Sequence, residues 1–281
     1  MTDTRAFEMT IEIAVSPDAV WQALTDPVEI TRWFASHADV EPGAGGTWMI
    51  SWDGNWPWKT AIEIWEPNRR LRLVDRNARP YDIEGRAVDE SVAPMPIALD
   101  WHIDGRDGTT TLRLVHSGFG RGGAWDDEFD GVSVGWPLEL NGLKHYLERH
   151  RGERREVAWS RIAVAAPPDS IWPRLVGPDG IMRDARLLSL QPGDRYETVL
   201  STGDRLAGAV AQRIGNRGVQ VTVDAWNGAL YRLWVDRVGR ESAVNSWLSA
   251  YGVPAEVVER FNTRVRAELD RLASAATAAA R

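Results

Sequence analysis

Between residues 47 and 116, apolar and polar positions alternate with a period of two, which predicts half-buried β-strands. After a Gly43–Gly46 turn, Trp48, Ile50 and Trp52 share one face of a strand over 47–52. Further strands are expected over 60–65, 71–74, 97–103 and 110–116, separated by Pro67-Asn68, a proline-bearing loop and an Asp104–Gly108 hairpin turn. In the strand 97–103, Ile97, Leu99, Trp101 and Ile103 face one way, and Ala98, Asp100 and His102 the other. Leu112, Leu114 and His116 share a face of the next strand, which makes His116 the histidine expected to point inward. The period then changes. Trp125, Phe129, Val132, Trp136, Leu140, Leu143 and Leu147 recur at helical spacing, the apolar stripe of one long amphipathic helix. Pro137 lies within that stripe, so a kink, or a helix start nearer Val134, is expected. Strand, short helices, antiparallel meander and long helix make an α+β architecture with the helix laid across a sheet.

A weak internal repeat suggests that the plan occurs twice. Ser16-Pro17-Asp18-Ala19-Val20-Trp21-Gln22-Ala23-Leu24 is similar to Pro167-Pro168-Asp169-Ser170-Ile171-Trp172-Pro173-Arg174-Leu175, each after an apolar run (11–15 and 162–166). Both read as a strand entering a short helix, with proline in the first turn, where its missing N–H costs nothing. The polar run Glu148–Glu156 breaks every periodicity and is the expected linker, giving domains over 1–150 and 151–281. The second half carries strand-like runs over 186–190, 195–200, 207–214, 218–223 and 230–236. A closing helix opens at Pro254 with Val258, Phe261, Val265, Leu269 and Leu272 on one face, and its alanine-rich tail 273–281 is expected to fray.

Composition narrows the chemistry. With 43% apolar and 26% charged residues, two ordinary cores are affordable. No cysteine is present, which removes disulfides, thiolate metal sites and cysteine nucleophiles. A net charge of -7 argues against nucleic acid as a partner. The basic residues are almost all arginine, Lys59 and Lys144 being the lysines, which reads as codon bias rather than anion binding. No apolar run is long enough to span a bilayer, and residues 1–10 lack a signal core, so a soluble cytoplasmic protein is expected. The 15 tryptophans suit either a broad flat core or a pocket for an apolar ligand.

Explicit catalytic motifs fail on context. Gly118-Phe119-Gly120-Arg121-Gly122-Gly123 matches the dinucleotide fingerprint, but the strand before it belongs to an antiparallel hairpin. Asp126, Glu128, Asp130 and Gly131 imitate a calcium loop whose twelfth position is Pro137; these acids instead suit a helix N-terminus. His37, His102, His116, His145 and His150 offer no zinc spacing, so no metal and no cofactor is implied. No nucleophile elbow or carboxylate dyad is present, and His116 is the one weak catalytic candidate.

The first half resembles the SRPBCC superfamily, specifically the AHSA-like family named after the activator of the HSP-90 ATPase. The matching pieces are Ser16–Trp21, Ile30–Phe34, Val40–Gly46, the E-x-x-x-P-x-x-x-L segment Glu63–Leu71, His116-Ser117-Gly118-Phe119, Gly135-Trp136 and Leu143–Leu147. The second half keeps the P-D-S-I-W opening, the strand pattern and the closing helix, and reads as a diverged copy. The resemblance implies two helix-grip (START-like, Bet v-like) folds in tandem, each a curved antiparallel sheet around a long C-terminal helix. It also implies a cavity between sheet and helix, reduced or closed in the shorter second copy.

An apolar or aromatic small molecule is the expected partner. Its lining would come from Trp33, Phe34, Trp48, Trp52, Leu99, Trp101, Leu114, His116, Trp136 and Leu140. The alternatives are a polyketide cyclase or aromatase using His116 for proton transfer, and protein–protein work through Trp56 and Trp58, including homodimerisation. The chain opens directly on the first strand, without the separate chaperone-binding domain of the eukaryotic activators, so a chaperone partner is not expected.

Overall fold

The computed structural model describes residues 4–52, 57–80, 92–239 and 241–279. The chain divides into two compact units, Met1–Glu153 and Arg154–Arg281. Trp56 lies outside the described residues.

In the first unit, β1 (Arg5–Ile13) runs into α1 (Pro17–Thr25) and α2 (Pro27–Trp33). Both helices start on proline behind a side-chain cap, with Ser16 accepting from the Ala19 N–H and Asp26 from the N–H groups of Val28 and Glu29. A meander follows: β2 (His37–Glu41), β3 (Thr47–Ser51), β4 (Trp58–Glu66), β5 (Arg70–Ala78), β6 (Met95–Arg106) and β7 (Thr109–Phe119). The sheet order is β1-β7-β6-β5-β4-β3-β2, all antiparallel, so the first strand pairs with the last. Asp107 and Gly108, both at positive φ (52° and 80°), make the tight β6–β7 turn. That turn fixes the register Leu99↔His116, Trp101↔Leu114 and Ile103↔Leu112, placing the expected apolar faces together.

The long helix α3 spans Ala124–His145 and carries Pro137 inside it. Its start therefore lies well before Val134, the position to which the proline pointed. The cause lies far away in the chain: the Arg5 guanidinium donates to the carbonyls of Gly120 and Trp125, pairs with Asp126 at 2.7 Å and lies over the Phe129 ring. These contacts and the first-turn acids Asp126 and Asp127 secure the helix N-terminus. The expected linker is also partly helical, since Tyr146–His150 continues α3 as one widened turn. The Tyr146 hydroxyl donates to Glu29 Oε2 (2.6 Å) and accepts the Gly152 N–H (3.0 Å), closing the unit.

The second unit repeats the plan. Its elements are β8 (Arg155–Val164), α4 (Pro168–Leu175), β9 (Arg195–Val199), β10 (Arg205–Ile214), β11 (Gly218–Val223), β12 (Ala229–Val238), β13 (Glu241–Tyr251) and α5 (Ala255–Ala279). The order β8-β13-β12-β11-β10-β9 again sets the first strand beside the last, with one edge strand fewer than in the first unit. The molecule is thus two helix-grip folds in tandem. The core of the second unit joins Trp172, Tyr196, Tyr231, Phe261, Val265 and Leu269, and both tyrosine hydroxyls are hydrogen-bonded, to the Thr222 carbonyl and the Ser246 hydroxyl.

One local expectation is corrected here. Residues Ala185–Leu188 form a 3-10 turn instead of a strand, because Asp184 caps the Arg186 N–H and grips its guanidinium. Strand β13 gives little sequence signal: Ser242, Asn245, Ser246 and Ser249 put polar groups on both faces and erase the period of two.

Candidate functional site

The inner face of β6 and β7 presents Leu99, Trp101, Leu114 and His116, each at most 5% exposed, and α3 lowers Trp136 and Leu140 onto the same unit's core. Trp136 is the centre of the arrangement. Its ring meets Trp101 edge-on at 5.4 Å, Phe34 at 5.6 Å and His116 at 5.9 Å. Phe34 stacks on Trp33 (4.8 Å) and receives the edge of half-buried Trp52 (5.5 Å).

Two of the tryptophans also have a scaffolding task. Trp33 Nε1 donates to the Ala23 carbonyl (2.8 Å) and Trp48 Nε1 to the Leu24 carbonyl (3.0 Å), satisfying the end of α1. Trp48 reaches the cluster through Trp58, whose ring lies 6.0 Å from both Trp48 and His116. Trp58 opens β4 opposite Ile50 and is half-buried, so it is part of the ring cluster and not a protruding loop residue.

Phe119 is the second residue missed by pattern reading. Three places beyond His116, it belongs by simple alternation on the opposite face. Gly118 changes that. At φ +104° it forms a bulge: Ser117 pairs with Ala6, Phe119 with Arg5, and Gly118 is skipped. A Cβ at Gly118 would lie 2.1 Å from the Pro96 carbonyl oxygen, so only glycine fits. The Phe119 ring is thereby returned to His116 at 4.7 Å and meets Phe129 at 5.5 Å. The signal was available in the His116-Ser117-Gly118-Phe119 motif, whose glycine marks the bulge.

The chemistry centres on one imidazole. Trp136 Nε1 lies 2.9 Å from His116 Nδ1. An indole N–H only donates, so Nδ1 is the acceptor and the ring proton sits on Nε2. Burial lowers the His116 imidazole to about 3, which keeps it neutral around pH 7. With Nδ1 occupied and Nε2 protonated, no ring lone pair remains to take a proton; His116 is a donor. Nε2 is buried and has no hydrogen-bond partner among the described residues.

On the opposite face of the sheet, Asp100 accepts two hydrogen bonds from Arg70 and one from Arg72, with His102 at 3.3 Å. Burial alone would raise the Asp100 carboxyl, but the two guanidiniums overcome it and hold it below its ordinary value. This lattice ties β5 to β6, the strand that carries Leu99 and Trp101.

Residues 14–148 match the model of the family described as Activator of Hsp90 ATPase homolog 1-like protein (AHSA1), a match that spans almost the whole of the first unit. The first unit belongs to this family. The AHSA1-like unit and its diverged tandem copy are also similar to solved structures. Protein MLL2253 from Mesorhizobium loti is 24% identical, over 52% of this chain and 98% of that one, with a TM-score of 0.44. DynU16, a protein of the dynemicin biosynthetic locus, is 16% identical over 96% of this chain and 98% of its own, with a TM-score of 0.41. Aha1 from Colwellia psychrerythraea, solved as a dimer, is 21% identical over 53% of this chain and 99% of its own, with a TM-score of 0.39. No curated protein matches the chain.

Among the described residues, no group of three or more histidines and carboxylates is placed to hold a metal ion, and no helix is long and apolar enough to cross a membrane. The second unit carries an open groove of about 720 Å³ lined by Arg183, Arg186, Arg195 and Arg205 among others. Arg186 is paired with Asp184 and Arg195 with Asp224, so this groove reads as a solvated ionic surface.

Proposed function

We propose that the AHSA1-like unit holds an apolar or aromatic small molecule between its sheet and α3, in contact with the ring cluster around His116. The observation that carries this reading is the buried Nε2–H of His116, left without a described partner amid Trp58, Phe119 and Trp136. A buried unsatisfied donor costs about 1–3 kcal/mol, and proteins keep such groups where they serve a purpose. Flat aromatic walls with one polar group are the usual composition of a small-molecule site.

The cyclase alternative uses His116 for proton transfer; the Trp136 donation to Nδ1 speaks against a base role and leaves His116 only a proton to donate. The protein–protein alternative placed Trp58 on an exposed surface, whereas its ring lies against Trp48 and His116.

The test is a screen of apolar compounds of one to three rings, read by melting temperature and tryptophan fluorescence. Binding raises the melting temperature and quenches emission, and Trp136→Ala weakens both responses. If no compound in the screen does either at saturation, the reading fails.

A further inference from the structure

We propose that the molecule held beside His116 carries a neutral carbonyl oxygen, a ketone or aldehyde, that accepts the His116 Nε2–H. This rests on the small-molecule reading above and adds the ligand's chemical class.

The donor is preset. Trp136 lacks any acceptor and so forces Nδ1 of His116 to accept, which leaves the proton on Nε2 in every ligand state that preserves the 2.9 Å contact. The ring is 5% exposed and walled by Trp58, Phe119 and Trp136. A group facing Nε2 must therefore be an acceptor, because no lone pair is left to receive a donor. The described walls are uncharged rings, so a carboxylate facing Nε2 would enter this low-dielectric space without a compensating cation among them. A hydroxyl would accept the hydrogen bond but bury its own O–H, for which the imidazole offers no acceptor. A carbonyl oxygen has lone pairs, no proton and no charge, and matches the site on all three counts.

Three ketone and hydrocarbon pairs of equal skeleton test this: acetophenone with ethylbenzene, 1-tetralone with tetralin, and 9-fluorenone with fluorene. Dissociation constants are measured by calorimetry or fluorescence for the wild-type chain and for His116→Phe, which keeps an aromatic ring and removes the donor. In at least one pair, the ketone-to-hydrocarbon affinity ratio should drop about ten- to a hundredfold from wild type to His116→Phe, while the hydrocarbon still binds. A ratio unchanged by the substitution overturns the carbonyl proposal and leaves the apolar-ligand reading standing. Absence of binding by all six compounds overturns both. Should His116→Phe fail to fold, nitrogen-15 spectra of the wild-type imidazole decide: the Nε2 resonance moves with the ketone and stays with the hydrocarbon. Equal movement with both overturns the proposal.

Discussion

Trp136 donates its indole N–H to Nδ1 of His116 across 2.9 Å, from the helix to the sheet. That one bond fixes the imidazole tautomer, ties α3 to β7 and turns the remaining ring nitrogen into a donor.

Removing the donor leaves a second buried nitrogen unsatisfied. Trp136→Phe is expected to destabilise the first unit by about 1–3 kcal/mol through the orphaned Nδ1, beyond any loss of packing. Urea denaturation of wild type and variant measures it. A change below about 0.5 kcal/mol, the level of an ordinary surface substitution, contradicts the proposed role.

The pH dependence follows from burial. The His116 imidazole is lowered to about 3 from an ordinary 6.5. Because the folded value lies below the unfolded one, the unfolded chain binds a proton first as pH falls. The stability contributed here is whole above about pH 6.5 and is lost towards pH 3, at up to about 1.4 kcal/mol per pH unit. Stability measured between about pH 7 and 5 should slope less steeply in His116→Phe, which has nothing to titrate. Equal slopes count against a neutral buried imidazole.

Asp100 titrates in a lower window. Its folded value is depressed below the ordinary 3.8, so its contribution is present above that pH and disappears as pH falls further. Asp100→Asn removes the ionic acceptor of Arg70 and Arg72, and is expected to cost about 1–3 kcal/mol at neutral pH, the partly exposed guanidiniums limiting the loss. The ligand response of the ring cluster on the other face should persist in the folded variant. Loss of stability smaller than that of Glu63→Gln, on the exposed margin of the same lattice, contradicts this ranking.

Gly118 and Gly122 both have positive φ, 104° and 82°, but differ in space. Among the described residues nothing lies within 4 Å of a Cβ at Gly122, whereas one at Gly118 meets the Pro96 carbonyl at 2.1 Å. Gly122→Ala should cost about 1 kcal/mol for conformation alone. Gly118→Ala should cost about 3 kcal/mol or more and displace Phe119 from His116. Similar melting temperatures for the two variants refute the bulge as the device that places Phe119.

What the sequence reveals about the site divides along physical lines. Period-two alternation puts Leu99, Trp101, Leu114 and His116 on one face, and helical spacing puts Trp136 and Leu140 on the opposing stripe. Those rules hold wherever the backbone is regular. They fail at Phe119, where a bulge restores the face that alternation would deny, and at Trp58, next to Pro57 at the beginning of a strand. They fail again at the start of α3, set by Arg5 from more than a hundred residues away in the chain. Strand β13 is hidden because polar residues occupy both of its faces. Long-range capping and backbone irregularity leave no periodic trace, and the ring cluster is completed by residues of that kind.

The most direct measurement is the nitrogen-15 spectrum of the tryptophan indole N–H groups, assigned and followed during titration with 9-fluorenone. Ligand binding beside His116 predicts saturable shifts of the Trp136, Trp101 and Trp58 signals, with Trp136 moving most. Trp172, in the core of the second unit, should remain in place. Stationary signals from all three first-unit indoles with 9-fluorenone and with each of the other five compounds, or shifts confined to residues 154–281, would contradict ligand binding at this site.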